Sequence, residues 1–164
     1  MKKIGILSDT HGFLNPKLFD FFKDCDELWH AGDWGSIDLV YALRKFKPVK
    51  SVYGNIDGKE IRLEMPDILQ FEVEKIKVCM LHIGGYPGNY SPEFKKIINQ
   101  LSIDLMVCGH SHILRVMRDQ KFNFMHINPG ACGNHGFQPV NTAIRLKIEG
   151  SKLFDLEVWE QKRG

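Results

Sequence analysis

Apolar positions along the chain fall into short blocks, and most blocks end at a small polar cluster. Residues 3–8 (KIGILS) form a continuous apolar run that fits a strand buried on both faces, ending in the turn-forming SDTHG. A helix is expected next, with Asn15 as N-cap, Pro16 at the first helical position and Leu18, Phe19 and Phe22 as its apolar stripe. A second unit repeats the plan. Glu27–His30 reads as a strand, AGDWG as a glycine-bearing turn, and Ser36 as the cap of a helix carrying Ile37, Val40, Tyr41 and Leu43. Residues 49–53 read as a third strand running into GNIDG.

Residues 68–82 have the pattern of a hairpin: Leu69, Phe71 and Val73 alternate in the first arm, and the run VCML ends the second at His82. Ser91 and Pro92 open a helix with apolar positions Phe94, Ile97, Ile98 and Leu101, and residues 104–108 (DLMVC) form another strand that enters GHSH. The stretches 113–118, 121–128, 141–148 and 152–159 are strand-like, with turns at Asp119 and at 149–151. The front half alternates strand and helix, and the back half is mostly strand. No linker-like stretch or internal repeat divides them, so residues 1–164 read as one α/β domain with a substantial β component.

At 164 residues the chain has the size of about one domain, and 43% hydrophobic with 26% charged residues argues against disorder or a fibrous repeat. A formal net charge of +2 is too small to imply a nucleic-acid partner. Cys25, Cys79, Cys108 and Cys132 are far apart, so no C-x-x-C spacing exists and they read as reduced core thiols. The apolar run at the start stops at Asp9, short of a signal-peptide core or a membrane span. A cytoplasmic location without a membrane partner is expected; self-association into a homo-oligomer stays open.

The polar clusters carry the chemistry. DTH at 9–11, GD at 32–33, GN at 54–55, His82 and GHSH at 109–112 each follow an apolar strand. In α/β sheets the carboxyl ends of strands converge on a common crevice, so these five segments can meet there. Asp9, His11, Asp33, Asn55, His82, His110 and His112 then offer two carboxylates, four imidazoles and an amide oxygen. That is more than one tetrahedral zinc uses, and no thiolate stands in these loops, so two borderline or hard divalent ions such as Mn, Fe or Zn fit better. Two such ions about 3.5–4 Å apart clamp a phosphoryl group and lower the pKa of a shared water, which makes phosphate-ester hydrolysis the natural use.

In order, S-D-T-H, H-A-G-D, Y-G-N and G-H-S-H resemble the calcineurin-like metallophosphoesterase superfamily, and the match spans nearly the whole chain. The small size is most similar to the compact bacterial and archaeal phosphodiesterase branch, which includes a retromer scaffold subunit. The resemblance implies a four-layer α/β/β/α sandwich with mixed sheets. Carried over by position, it implies Asp9, His11 and His112 on one metal, Asn55, His82 and His110 on the other, and Asp33 bridging. It further implies a hydroxide between the ions as nucleophile, with Asn55 and His110 also near the phosphate oxygens. The chain departs from the pattern at Ile56, where many members carry a proton-donating histidine; Asp57 is the substitute candidate. His82 sits in LHIGG, where relatives often show a Gly-His pair.

Any one of these histidines alone reads as a surface or core residue; the order of five segments is what points to metal. His30 reads either as a hydrogen-bond partner that orients a ligand or as packing. His126 alternates with apolar neighbours and reads as structural, while His135 lies in a glycine-rich loop within reach of the cleft. Trp34 and Tyr86, in loops beside the ligand candidates, are candidates to stack on a substrate ring or to pack. The leading expectation is a metal-dependent phosphodiesterase or phosphatase acting on a small phosphate ester. The alternative is a non-catalytic metal-binding scaffold with the same fold. A nuclease acting on long chains lacks a basic stripe.

Overall fold

The computed structural model describes residues 1–163. Twelve strands and four helices follow in the order β1 (Lys2–Leu7), α1 (Lys17–Phe22), β2 (Glu27–His30), α2 (Ile37–Phe46), β3 (Val49–Ser51), α3 (Lys59–Arg62), β4 (Ile68–Val73), β5 (Ile76–Leu81), β6 (Gly85–Tyr86), β7 (Asn89–Tyr90), α4 (Pro92–Gln100), β8 (Leu105–Val107), β9 (Leu114–Asp119), β10 (Phe124–Pro129), β11 (Val140–Glu149) and β12 (Lys152–Lys162). They make two five-stranded mixed sheets, β12-β11-β1-β2-β3 and β4-β5-β8-β10-β9, plus the small ribbon β6-β7. In the first sheet β1, β2 and β3 are parallel while β11 pairs antiparallel with β1. In the second, β5, β8 and β10 are parallel and the edge strands β4 and β9 are antiparallel.

The continuous apolar runs follow from burial on both faces. Successive strand residues point to opposite sides. Ile4, Ile6 and Trp29 from the first sheet therefore meet Val78, Met80, Leu105 and Val107 from the second in a core between the sheets. The alternate residues Leu7 and Leu28 face Leu18, Phe22, Val40, Leu43 and Ile61 of the helices α1, α2 and α3. On the far side Cys79, Leu81 and Met106 face Phe94 and Ile97 of α4. The layers thus run helices, sheet, sheet, helix, which is the expected α/β/β/α sandwich. Among the described residues no helix is long and apolar enough to cross a membrane.

Local expectations differ in a few places. Asn15 accepts a hydrogen bond from the Lys17 N–H at 2.9 Å and so supplies the capping contact, although α1 begins only at Lys17. Ser36 stands at the N-cap of α2 but makes no side-chain capping bond. The buried stripe of α2 is Leu39, Val40 and Leu43, and Tyr41, further round the helix, is 52% exposed. Leu101 has left the helix of α4 in extended backbone and is exposed, whereas Ser91 caps that helix by accepting from the Phe94 N–H. The third strand stops at Ser51: the Val52 N–H still donates to the His30 carbonyl of β2, but the Tyr53 N–H turns to the Pro66 carbonyl. The short α3 and the β6-β7 ribbon carry too few residues to show a period.

Phe94 is fully buried and packs edge-on against Tyr90 and Phe124. Phe94→Ala should lower the free energy of unfolding by about 3–5 kcal/mol. Urea denaturation measures this, and a loss under 1 kcal/mol would show that α4 does not anchor its sheet.

Candidate metal centre

All five polar clusters leave the carboxyl ends of β1, β2, β3, β5 and β8, on the same edge of the two sheets. The loops stay paired after the strands end. Asp9 and His11 donate backbone N–H groups to Gly32 and Asp33, while Cys132 and Gly133 donate to Ser8 and Asp9. Within the second sheet the Gly109 N–H donates to the His82 carbonyl at 3.0 Å, and across the sheets the His110 N–H donates to Asp9 Oδ2 at 3.1 Å.

Each carboxylate is anchored by one oxygen and leaves the other free. Asp9 Oδ2 accepts from the Ser8 hydroxyl at 2.7 Å and from His110 N–H, and Asp33 Oδ1 accepts from Ile56 N–H at 3.1 Å. The free oxygens face imidazoles. Asp33 Oδ2 lies 3.4 Å from His11 Nε2 and 3.2 Å from His82 Nε2, while Asp9 Oδ1 lies 3.2 Å from His112 Nε2. Two compact groups result: Asp9, His11 and His112, and Asp33, His82 and His110. Asn55 Oδ1 joins the second, 3.1 Å from His110 Nδ1.

Hydrogen bonds aim the rings. His82 donates from Nδ1 to the Ala31 carbonyl at 2.7 Å, and His112 from Nδ1 to Gln138 Oε1 at 3.0 Å, so each keeps Nε2 for the cluster. Gln138 was not legible in the sequence: it lies in an irregular Gly-Pro loop with no spacing to mark it. His135, in the same loop, stacks on His11 with ring centroids 4.6 Å apart and so lines the cleft.

Among the described residues only four buried polar side-chain atoms lack a hydrogen-bond partner, and three of them are Asp9 Oδ1, His11 Nε2 and His82 Nε2. Buried polar groups are ordinarily paired. Three unpaired atoms converging on one spot, all metal-type donors and none of them sulfur, fit divalent cations. Electrostatics agree. Burial would push the Asp9 carboxyl up, but His11 and His112 outweigh it and hold Asp9 well below its usual range. Burial likewise opposes ionisation of Asp33, and His82 with the Ile56 N–H outweighs it. His82 is raised because Asp33 and Asp9 overcome burial, and His112 is raised by Asp9.

The backbone is unusual at these positions. Asp9, His11, Asp33, His110 and His112 all have positive φ, between 46° and 72°, in the left-handed region that few residues other than glycine enter. Such conformations persist where surrounding structure over-determines them and cluster at functional sites. Gly54 is required by close approach: a Cβ there would collide with the Asp33 carboxylate.

Three neighbours are fixed by contacts that the sequence left open. Trp34 is fully buried and stacks on His30 at 3.6 Å between centroids, so it presents no face to a substrate. His30 accepts from the Gly32 N–H on Nδ1, and its Nε2 meets Thr10 Oγ1 at 3.1 Å. Burial lowers its pKa to about 3, which leaves a neutral ring that ties together the backbone beside Asp9, His11 and Asp33. Asp57 is buried, and its carboxylate accepts from the N–H groups of Trp34, Gly35 and Gly54 at 2.8–3.2 Å. Those bonds staple two ligand loops together and turn the carboxylate away from the cleft, so its geometry does not suit a proton donor. Ile56, by contrast, lines the cleft and is 47% exposed. Tyr86 is exposed with Arg115 over its ring, and His126 is buried against Met106, as a structural residue would be.

Comparison with known proteins bears on the chain as a whole. The family model described as the calcineurin-like phosphoesterase superfamily domain matches residues 1–151. A probable metallophosphoesterase of Methanothermobacter thermautotrophicus is 30% identical over 162 residues, covering 94% of this chain and 90% of its own. A phosphodiesterase of Methanocaldococcus jannaschii is 27% identical over 146 residues, covering 79% of this chain and 84% of its own. Among solved structures, a single mutant of Vps29 from Entamoeba histolytica superposes with a TM-score of 0.76 at 17% identity, covering 99% of each chain.

A proton and a cation compete for Nε2 of His82 and of His112, and both pKa values lie above the ordinary 6.5. Affinity for Zn²⁺ or Mn²⁺ should therefore fall as pH drops through a range that begins above 6.5, with protons released on binding. Calorimetry in buffers of different ionisation enthalpy counts them; affinity independent of pH between about 5.5 and 8 would contradict the cluster. Gly54→Ala should displace Asp33 and reduce bound metal while circular dichroism stays native, and unchanged metal content would refute the close approach.

Proposed function

The chain belongs to the calcineurin-like phosphoesterase superfamily, and from that premise we propose a metal-dependent phosphoesterase that hydrolyses small phosphate esters at a two-metal site. The observation that carries this reading is the free oxygen of Asp33, within 3.4 Å of both His11 Nε2 and His82 Nε2, one ring from each ligand group. Asp9, His11 and His112 would hold one ion and Asn55, His82 and His110 the other, with Asp33 shared. Divalent ions bound there would lower the pKa of the attacking water and offset charge on the phosphoryl oxygens.

The chain's own residues do the rest. Asn55 and His110, exposed at the mouth of the cluster, would orient the phosphate oxygens, and Asp9 and Asp33 remain ionised because the imidazoles hold their pKa values down. Burial and the charge of His82 lower the pKa of His110, so at neutral pH it is a poor proton source. Ile56 has no proton to give. Leaving-group departure then proceeds without a general acid, and the rate depends on how well the departing oxygen carries charge.

The missing acid at Ile56 favours a non-catalytic metal-binding scaffold as the second reading. Metal analysis of the purified protein and hydrolysis of activated aryl diesters with Mn²⁺ or Zn²⁺ decide between them. Asp33→Asn should lose at least one ion and reduce turnover by more than the roughly 10–100-fold typical of residues outside the ligand set. Normal metal content and turnover in that variant would sink the two-metal assignment, and tight metal binding with no hydrolysis of any ester would favour the scaffold.

A further inference from the structure

Two depressions flank the ligand cluster and share Asn55. The narrower, about 300 Å³, has two carboxylates in its wall, Asp67 and Glu93. The wider, about 760 Å³, begins at His11, Asp33 and His110 and is walled by Ile56, Ile113, Leu114, Phe137 and Val140. No lysine or arginine lines either one. Ile56, Ile113 and Phe137 stand 47%, 54% and fully exposed at its rim. An apolar rim around a strongly polar centre marks a surface that waits for an apolar group.

Charge narrows the occupant. Ions at the ligand cluster would answer the charge of one phosphoryl group. A second phosphate would enter either a cleft with no cation or a depression that carries Asp67 and Glu93. The guanidinium groups nearby are engaged: Arg62 donates to the Asp57 carbonyl and lies over Tyr53, Arg115 lies over Tyr86, and Arg163 donates to the carbonyls of Asn134, Gly136 and Gln138.

We propose that the wide cleft binds the uncharged, apolar organic group of an ester with a single phosphorus, and that Ile113 and Phe137 determine this specificity. The proposal rests on the phosphoesterase reading and extends it to the substrate class. Apolar area removed from water on binding strengthens the complex in proportion to its size. A flat ring lying between Ile113 and Phe137 buries far more of it than a methyl group does.

The test holds the leaving group constant and varies only the group that stays on phosphorus. With Mn²⁺-loaded protein, p-nitrophenyl naphthylmethyl phosphate should exceed p-nitrophenyl methyl phosphate in kcat/KM by about 10- to 100-fold, chiefly through KM. An analogue whose retained group carries a second phosphate should fall below the methyl ester. Ile113→Ser and Phe137→Ser, both at exposed positions, should bring the naphthylmethyl-to-methyl ratio toward one. Calorimetry with naphthylmethylphosphonate and methylphosphonate gives the same comparison without turnover. Equal kcat/KM for the two esters, or preference for the doubly phosphorylated one, would overturn the proposal while leaving the phosphoesterase intact. If neither ester is hydrolysed, the enzymatic reading fails, and the phosphonate affinities alone decide whether the cleft selects apolar groups.

Discussion

Two buried carboxylates, Asp9 and Asp33, aim free oxygens into one small space. Like charges in a water-poor crevice repel far more strongly than in solution, and every nearby feature bears on that repulsion. Imidazoles from three loops surround the free oxygens, and backbone N–H groups and a hydroxyl hold the other two. Five of the residues involved accept left-handed backbone to reach these positions. The strain is held because the sheets on either side leave the loops no alternative: strand pairing fixes where each loop begins, and inter-loop hydrogen bonds fix its path.

The chemistry is as selective in what it leaves out. Cys108 and Cys132 flank this region in sequence and space, yet burial pushes both thiols up to about 12. They stay protonated at neutral pH and pack as small apolar side chains. Only nitrogen and oxygen donors face the cluster, which favours borderline and hard cations over soft ones.

Much of this was legible in the sequence for a simple reason. Strands buried on both faces must be apolar throughout, so the residue at which each run breaks marks the strand end, and Asp9, Asp33, Asn55, His82 and His110 all sit just past such breaks. What stayed hidden depends on contacts between distant segments. Trp34 reads as a free loop aromatic until His30 is seen stacked on it, and Asp57 reads as a reactive carboxyl until three N–H groups are found pointing at it. Gln138 follows no pattern, because its role is set by where the loop after β10 places it beside His112. Tyr41 and Leu101 were misjudged by the same period that found their helices, since one residue of rotation or one residue past the end exposes a side chain.

The pairing of β1 with β11, Lys2 opposite Ile148, has a consequence for how the protein is made. Synthesis proceeds at about 5–20 residues per second, so the first strand emerges on the order of ten seconds before the partner that closes its sheet. Asp9, His11 and Asp33 are made early in that interval, whereas His110, His112 and the loop that aims them appear only in its later part. A nascent chain therefore offers passing cations only an incomplete set of donors, and the full set arrives late, with the closing of the fold. Ion selection is made by the finished molecule, in whatever metal pool surrounds it at that moment.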